Sequence, residues 1–287
     1  MELSGIGIWT PALMRHEDPA AVQDAAAELE DLGYTALWIP EGSGGPIFEA
    51  CGRVLDATTR VPVATGILNV WKHEPSETAA GHARLAAAHP DRFLLGLGIS
   101  HRPLVEGYRR PLSTMRAYLD GLDAAEQPVP PGERAIAALG PKMLDLARDR
   151  ALGSHTYFTT AAHTAAAREA LGPDALLAPE VSVVPIRDRE RAFEVARDYM
   201  DLFLRLPNYT NNLLRHGFSE DDVRDGGSDR LLEAVLPWGE PERIMAGVQE
   251  HFAAGADHVC IQVISGRDRM TDLPREEWRE LAPALVG

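Results

Sequence analysis

The sequence is short of the features that would tie it to a nucleic acid, a membrane or an oxidising compartment. Only two of its 287 residues are cysteines, Cys51 and Cys260. Two thiols give neither a disulfide framework nor a metal-ligand spacing, which suits a reducing cytoplasm. Lysine is scarcer than its total of 28 basic residues suggests, because only Lys72 and Lys142 are lysines. Against 43 acidic residues the formal net charge is −15, so neither nucleic acid nor an acidic membrane surface is an expected partner. No apolar run approaches the roughly 18 residues of a membrane span. The opening MELSGIGIWTPALM has no basic n-region and reads as a first strand, not a signal peptide. Familiar catalytic motifs are missing too. EGSGGP lacks the Gly-Lys-Ser/Thr ending of a phosphate-binding loop, and GLGISH has His101 where a dinucleotide fingerprint needs its third glycine. Neither HExxH nor GxSxG occurs. His258 and Cys260 alternate on one strand face with no third ligand in sight, so no metal site is expected.

What remains is a regular alternation of strand-like and helix-like runs. Strands are expected at Leu3–Trp9, Tyr34–Pro40, Val61–Asn69, Phe93–Ser100, Arg134–Gly140, His155–Thr160, Leu177–Val184 and His258–Ile264. Helices fall between them. Pro19–Leu32, for example, carries Val22, Ala25, Ala26, Leu29 and Leu32 at helical spacing before Gly33 ends it. Pro75 stands where proline is tolerated, at a helix start. Eight apolar strands alternating with helices predict a (β/α)8 barrel in a single domain, residues 1–287. Pro207–Trp238, between the seventh and eighth strands, does not fit the rhythm. It reads as an inserted lid or as an extra outer helix.

Barrel active sites lie at the C-terminal ends of the strands. There the sequence places Trp9 after the first strand and Glu41 with a flexible GSGGP after the second. The third strand ends in TGILNVWKHEP, with Asn69, Trp71, Lys72 and His73 close together. Ser100, His101 and Arg102 follow the fourth strand, and Gly140, Pro141 and Lys142 the fifth. Thr159, Thr160 and Ala161 follow the sixth, while Glu180 and Gln262 lie within the last two. Each has a plainer reading: Glu41 as a solvated loop acid, His101 as a packing histidine, the tryptophans as core. Lys142 at a helix start opposes the helix dipole, which favours an anion nearby. The helix starts after Gly140 and Thr160 offer backbone N–H groups that suit a phosphate.

TGILNVW, HPDRFLLGLGIS, ALGPKMLDLA and GADHVCIQV resemble the luciferase-like monooxygenase superfamily, and most closely its branch of oxidoreductases dependent on deazaflavin (coenzyme F420). The resemblance implies a barrel, usually dimeric, with the cofactor across its mouth. It also implies a non-proline cis peptide at Gly66–Ile67, backing the ring. Ring-side contacts would come from Ile67, Asn69, Ile99, Ser100 and His101, and phosphate-side contacts from Gly140, Lys142, Thr159, Thr160 and Ala161. Lys72, Arg102 and the Arg109–Arg110 pair could add positive charge. The chain departs from the family where an acid and then a histidine often follow the second strand. Glu41 is present, but Gly42 replaces the histidine. The fourth-strand position that is often glutamate is His101, which puts sugar-phosphate oxidation in doubt. The expectation is hydride transfer between F420 and a small organic substrate, with His101, His73 and Glu41 as catalytic candidates. Trp9, Trp71 and Tyr157 are the candidate substrate walls. The alternatives are an FMN-dependent monooxygenase of the same superfamily and a non-catalytic flavin-binding protein.

Overall fold

The computed structural model describes residues 3–42 and 44–287. Met1, Glu2 and Ser43 lie outside them, and with Ser43 so does part of the GSGGP loop. The sheet is a closed parallel barrel of eight staves. Its strands are β1 (Gly5–Trp9), β2 (Leu37–Ile39), β3 (Val63–Thr65), β4 (Leu68–Asn69), β5 (Phe93–Gly98), β6 (Arg134–Ala137), β7 (Gly153–Thr156), β8 (Leu176–Val183) and β9 (His258–Val263). β3 and β4 are two halves of the third stave. Both pair with β5, β3 through Val63 opposite Phe93 and β4 through Leu68 opposite Leu97. The ring is completed by β9, which lies between β8 and β1.

The helices are α1 (Ala12–Arg15), α2 (Pro19–Asp31), α3 (Ile47–Ala57), α4 (Pro75–Ala88), α5 (Pro111–Asp123), α6 (Pro141–Arg150), α7 (Ala161–Leu171), α8 (Arg189–Leu204), α9 (Pro207–Arg215), α10 (Asp229–Val235), α11 (Pro241–Ala253) and α12 (Arg275–Leu285). The segment that broke the sequence rhythm is thus a helix pair, α9 and α10, with a loop between. Among the described residues no helix is long and apolar enough to cross a membrane.

Three apolar clusters divide the labour. The largest lies between staves and outer helices, where Val22, Ala25, Leu29, Cys51, Val54 and Leu55 face the barrel. A second fills the barrel itself. Trp38 is fully buried there, so its neighbours are small: Ala36, Ala64, Ala135 and Ala178. Trp38 stacks on His155 at 4.4 Å and donates its Nε1–H to His258 Nε2 at 3.1 Å. Burial holds both imidazoles down to about 4, so they are neutral core residues. Cys260 belongs to this cluster, and among the described residues no group of histidines, cysteines and acids could hold a metal. A third cluster sits over the mouth, built from α8, α9 and α10 with Phe158, Val184 and Trp238.

One buried carboxylate anchors the approach to the third stave. Glu30 accepts from the backbone N–H groups of Thr59 (3.0 Å), Arg60 (2.6 Å) and Val61 (2.8 Å) and from the Thr59 hydroxyl (2.9 Å). Burial alone would raise its pKa, but the backbone donors outweigh it and lower it from 4.5 to about 2. The stabilisation is therefore complete above pH 4.5 and is lost as the pH falls toward 2. Glu30→Gln should lower stability by about 2 kcal/mol at neutral pH. Urea unfolding at pH 7 and pH 3 should show the gap between variant and parent narrowing in acid.

Candidate active site

The TGILNVWKHEP stretch folds onto Glu41. That carboxylate is 1% exposed, accepts the Asn69 N–H on Oε2 at 2.8 Å and meets His73 Nε2 at 3.0 Å on Oε1. Arg15 Nη2 donates to the Glu41 backbone oxygen at 2.8 Å, fixing the same turn from α1. Glu41 thus carries an imidazole partner, His73, from the end of the third stave. Glu41 is no solvated loop acid. Asn69 Oδ1 accepts the Trp71 N–H, and Trp71 Nε1 donates to the Ile99 oxygen at 2.8 Å, tying the third stave to the fourth. Lys72 lies exposed beside this turn.

The peptide between Gly66 and Ile67 is cis, where the family resemblance places it. Trp9, 7% exposed, donates its Nε1–H to the Gly66 oxygen at 2.9 Å and so backs the split stave from inside the barrel. The glycines of FLLGLG answer to this split. A Cβ on Gly96 would lie 1.9 Å from the Thr65 oxygen, and one on Gly98 would lie 2.4 Å from Ile67 Cδ1. Only hydrogen atoms fit at either place, which lets the Ile67 side chain lie across the fourth stave. Ser100 then turns with φ of 55°, a left-handed conformation uncommon outside glycine. Ile67, Ile99, Ser100, Ala137 and Tyr157 are partly exposed where most strand residues are buried. They form a shelf that ligands can reach.

The sixth strand ends at Thr156, earlier than its sequence suggests, because Phe158 takes φ of 54° and leaves the ladder. Tyr157, Thr159 and Thr160 therefore belong to the mouth. Thr160 caps α7, accepting the His163 N–H on its hydroxyl oxygen. The Thr159 hydroxyl is buried and has no partner among the described residues. Gly140 begins α6 beside it, and the space above its Cα is open up to Arg215 Nη1 of α9, 3.9 Å from where a Cβ would stand. Lys142 is exposed at this helix start. Arg215 is a cation of this arc that sequence reasoning missed. It lies some 75 positions along the chain, in a segment of unassigned shape, and no local pattern announces it.

His101 packs its ring against Tyr209 of α9, with centroids 4.8 Å apart. Its Nδ1 is buried without a partner, and burial lowers the imidazole to about 4, so it is neutral at physiological pH. Arg102, Arg109 and Arg110 follow it on an exposed stretch. Trp71 packs against Tyr108 at 5.8 Å, and Trp9 against Tyr157 at 5.0 Å, so the three expected substrate walls form two separate aromatic pairs.

Beneath Tyr157 runs a polar chain that the sequence marked only by two polar residues inside apolar strands, Glu180 and Gln262. The Ser182 hydroxyl donates to Glu180 Oε1 at 2.6 Å and lies 2.6 Å from the Tyr199 hydroxyl. Tyr199 and Tyr157 are 2.8 Å apart, and Tyr157 donates to Gln262 Oε1 at 2.8 Å. Residues 180 and 182 share a strand face by their spacing, which was the available signal. Tyr199, by contrast, reads as one more apolar helix position.

Against this geometry the chain can be compared with known proteins. Residues 7–125, the first four staves with α5, match the profile of the luciferase-like monooxygenase family. A protein of Mycobacterium tuberculosis provisionally named a coenzyme F420-dependent oxidoreductase is 26% identical over 109 residues. That match covers 36% of this chain and 31% of the relative, so the chain spans about a third of that protein. The fold is shared end to end with an F420-dependent secondary alcohol dehydrogenase solved with an F420–acetone adduct (TM-score 0.74, 16% identity, 100% of both chains). It is shared also with a type II Baeyer–Villiger monooxygenase of Pseudomonas putida solved with FMN (TM-score 0.68, 13% identity, 99% of this chain and 98% of the other).

Burial raises the Glu180 carboxyl to about 7, against the pull of the Ser182 hydroxyl, the Phe158 N–H and the charge of Arg269. A raised value means the folded state favours the protonated acid. Its stabilising share is complete below pH 4.5 and disappears as the pH rises through 7. Glu180→Gln should therefore gain on the order of 1–2 kcal/mol over the parent at pH 8 and little at pH 5. Urea unfolding at the two pH values measures the difference.

Proposed function

We propose that the chain is an oxidoreductase that exchanges a hydride between coenzyme F420 and a small organic substrate at the barrel mouth. The observation that carries this reading is the partly exposed shelf of Ile67, Ile99 and Ser100, flanked by Gly96 and Gly98 and joined through the third stave to the Glu41–His73 pair. It offers an apolar seat for a flat ring beside a buried carboxylate and its partly exposed histidine. Its fit to a phosphate-bearing cofactor is supported on the next arc. There the orphaned Thr159 hydroxyl, the open backbone at Gly140 and the start of α7 at Ala161 lie with Lys142 and Arg215. These supply neutral donors and positive charge in a chain of net charge −15. The names of the M. tuberculosis relative and of the alcohol dehydrogenase point the same way.

When bound, the deazaflavin supplies the carbon that accepts or gives the hydride. The protein's part is orientation and proton management. Ile67 and Ile99 would support the ring, with Asn69 and Ser100 at its polar edge. Glu41 fixes His73 through Nε2 and holds the Asn69 backbone in register. His101 or His73 would exchange the accompanying proton. Trp71, Trp9 and Tyr157 would bound the substrate, and α9 with α10 would cover it. FMN is the second reading, supported by the shared fold with the FMN-containing monooxygenase.

Titration with F420 and separately with FMN, followed by cofactor fluorescence, distinguishes the two. Saturable quenching of F420 is expected, and tight FMN binding without it would sink the deazaflavin reading. Arg215→Gln should weaken F420 binding by about tenfold, the worth of one charge-assisted contact. Gly98→Ala, which pushes Ile67 off its seat, should weaken it as well while leaving His73 on Glu41.

A further inference from the structure

A different arc of the mouth, between the first and eighth staves, carries a cleft lined by Thr10, Gln262, Ser265, Arg269 and Asp272 against the apolar wall of Trp278. Its polar lining consists almost wholly of hydrogen-bond donors. Gln262 is 2% exposed, and its Oε1 is taken by the hydroxyls of Tyr157 and Tyr199. Its Nε2 has no partner, and an amide donor buried without one is costly unless something meets it. Thr10 Oγ1 and Ser265 Oγ already accept, from the N–H groups of Ala12 and Arg267, which leaves each hydroxyl proton to give.

Arg269 supplies charge. Its guanidinium lies 5.4 Å from the Tyr199 ring centre and 5.7 Å from that of Phe203. Asp268 and Glu180 feel its field, yet among the described residues no carboxylate comes within ion-pair distance of it. Its neighbour Arg267 behaves differently, pairing with both Asp272 and Glu277. That pairing also engages Asp272, the one acidic group of the cleft. The cleft is thus a set of neutral donors around one unpaired cation.

We infer that this cleft binds the carboxylate of the substrate. A planar group with two oxygens suits the fork of a guanidinium in a cleft that also carries amide and hydroxyl donors. A single negative charge matches the one unpaired cation, whereas a phosphate dianion would stand against Asp272 without compensation. The word substrate rests on the oxidoreductase reading; the anion site does not. If both hold, the enzyme acts on small carboxylic acids that carry the reacting carbon away from the carboxylate, with Tyr157 as the wall between them.

The test uses the full chain, uniformly labelled with 15N, and follows the side-chain amide of Gln262, assigned by its loss in Gln262→Met. Sodium acetate, with ionic strength held constant by sodium chloride, should shift this resonance along a saturating curve. Acetamide should leave it in place. Arg269→Gln should weaken the acetate response at least about tenfold, with the rest of the spectrum unchanged. Equal response to acetamide, an undiminished response in Arg269→Gln, or tighter binding of inorganic phosphate than of acetate would each overturn the proposal. F420 fluorescence is measured in parallel. Acetate binding without F420 quenching keeps the anion site and removes the deazaflavin reading, and the reverse removes the site alone.

Discussion

The barrel closes where the carbonyl oxygen of Thr65 passes 1.9 Å from the place a side chain would begin at Gly96. The Thr65 hydroxyl adds a bond to the Gly96 oxygen at 2.7 Å, so the third and fourth staves are held at backbone distance. Everything at the mouth follows from this approach. The third stave can break after Thr65 and resume at Leu68 without losing its partner. Ile67 crosses Gly98, Asn69 reaches Glu41, and Trp71 bonds to Ile99. A side chain at position 96 would separate the staves and with them the whole acid–base corner.

Charge is distributed with equal economy. The protein as a whole is strongly acidic, yet cations collect at the mouth from distant parts of the sequence: Lys142 from α6, Arg215 from α9 and Arg269 from the loop after β9. No run of basic residues is needed, because the topology brings these elements to one end of the barrel. Most other arginines are engaged with carboxylates on the outside. Arg134 is an extreme case, fully buried and bonded to Asp123 at 2.7 Å, to the Val129 oxygen and to the Arg150 oxygen.

The fold was legible because its signal is repetitive. Each stave is a short apolar run and each helix a periodic one, so errors stayed at the ends, as at Tyr34–Ala36 and at Tyr157–Thr160. The latter residues leave the strand because Phe158 adopts a left-handed turn, which nothing in its side chain foretells. The corner around Glu41 was partly legible, since TGILNVWKHEP carries too many polar groups for a strand end. That His73 would lie on Glu41 was not, because their contact joins two loops 32 positions apart. The Glu180 chain was hidden for a similar reason. Tyr199 looks like core on its own helix, Tyr157 lies just past a strand end, and only the register of β8 against β9 sets Ser182 opposite Gln262.

One helix has a part at both ends of the mouth. α9 presents Tyr209 to the His101 ring and, less than two turns later, Arg215 to the backbone at Gly140. A rigid rod touching two places cannot answer at one without moving at the other. The side chain nearest Gly140 and the ring packed on His101 are thus carried by one short helix, so their positions are set together. Seven residues of α9, from Tyr209 to Arg215, span the distance between the His101 ring and the start of α6.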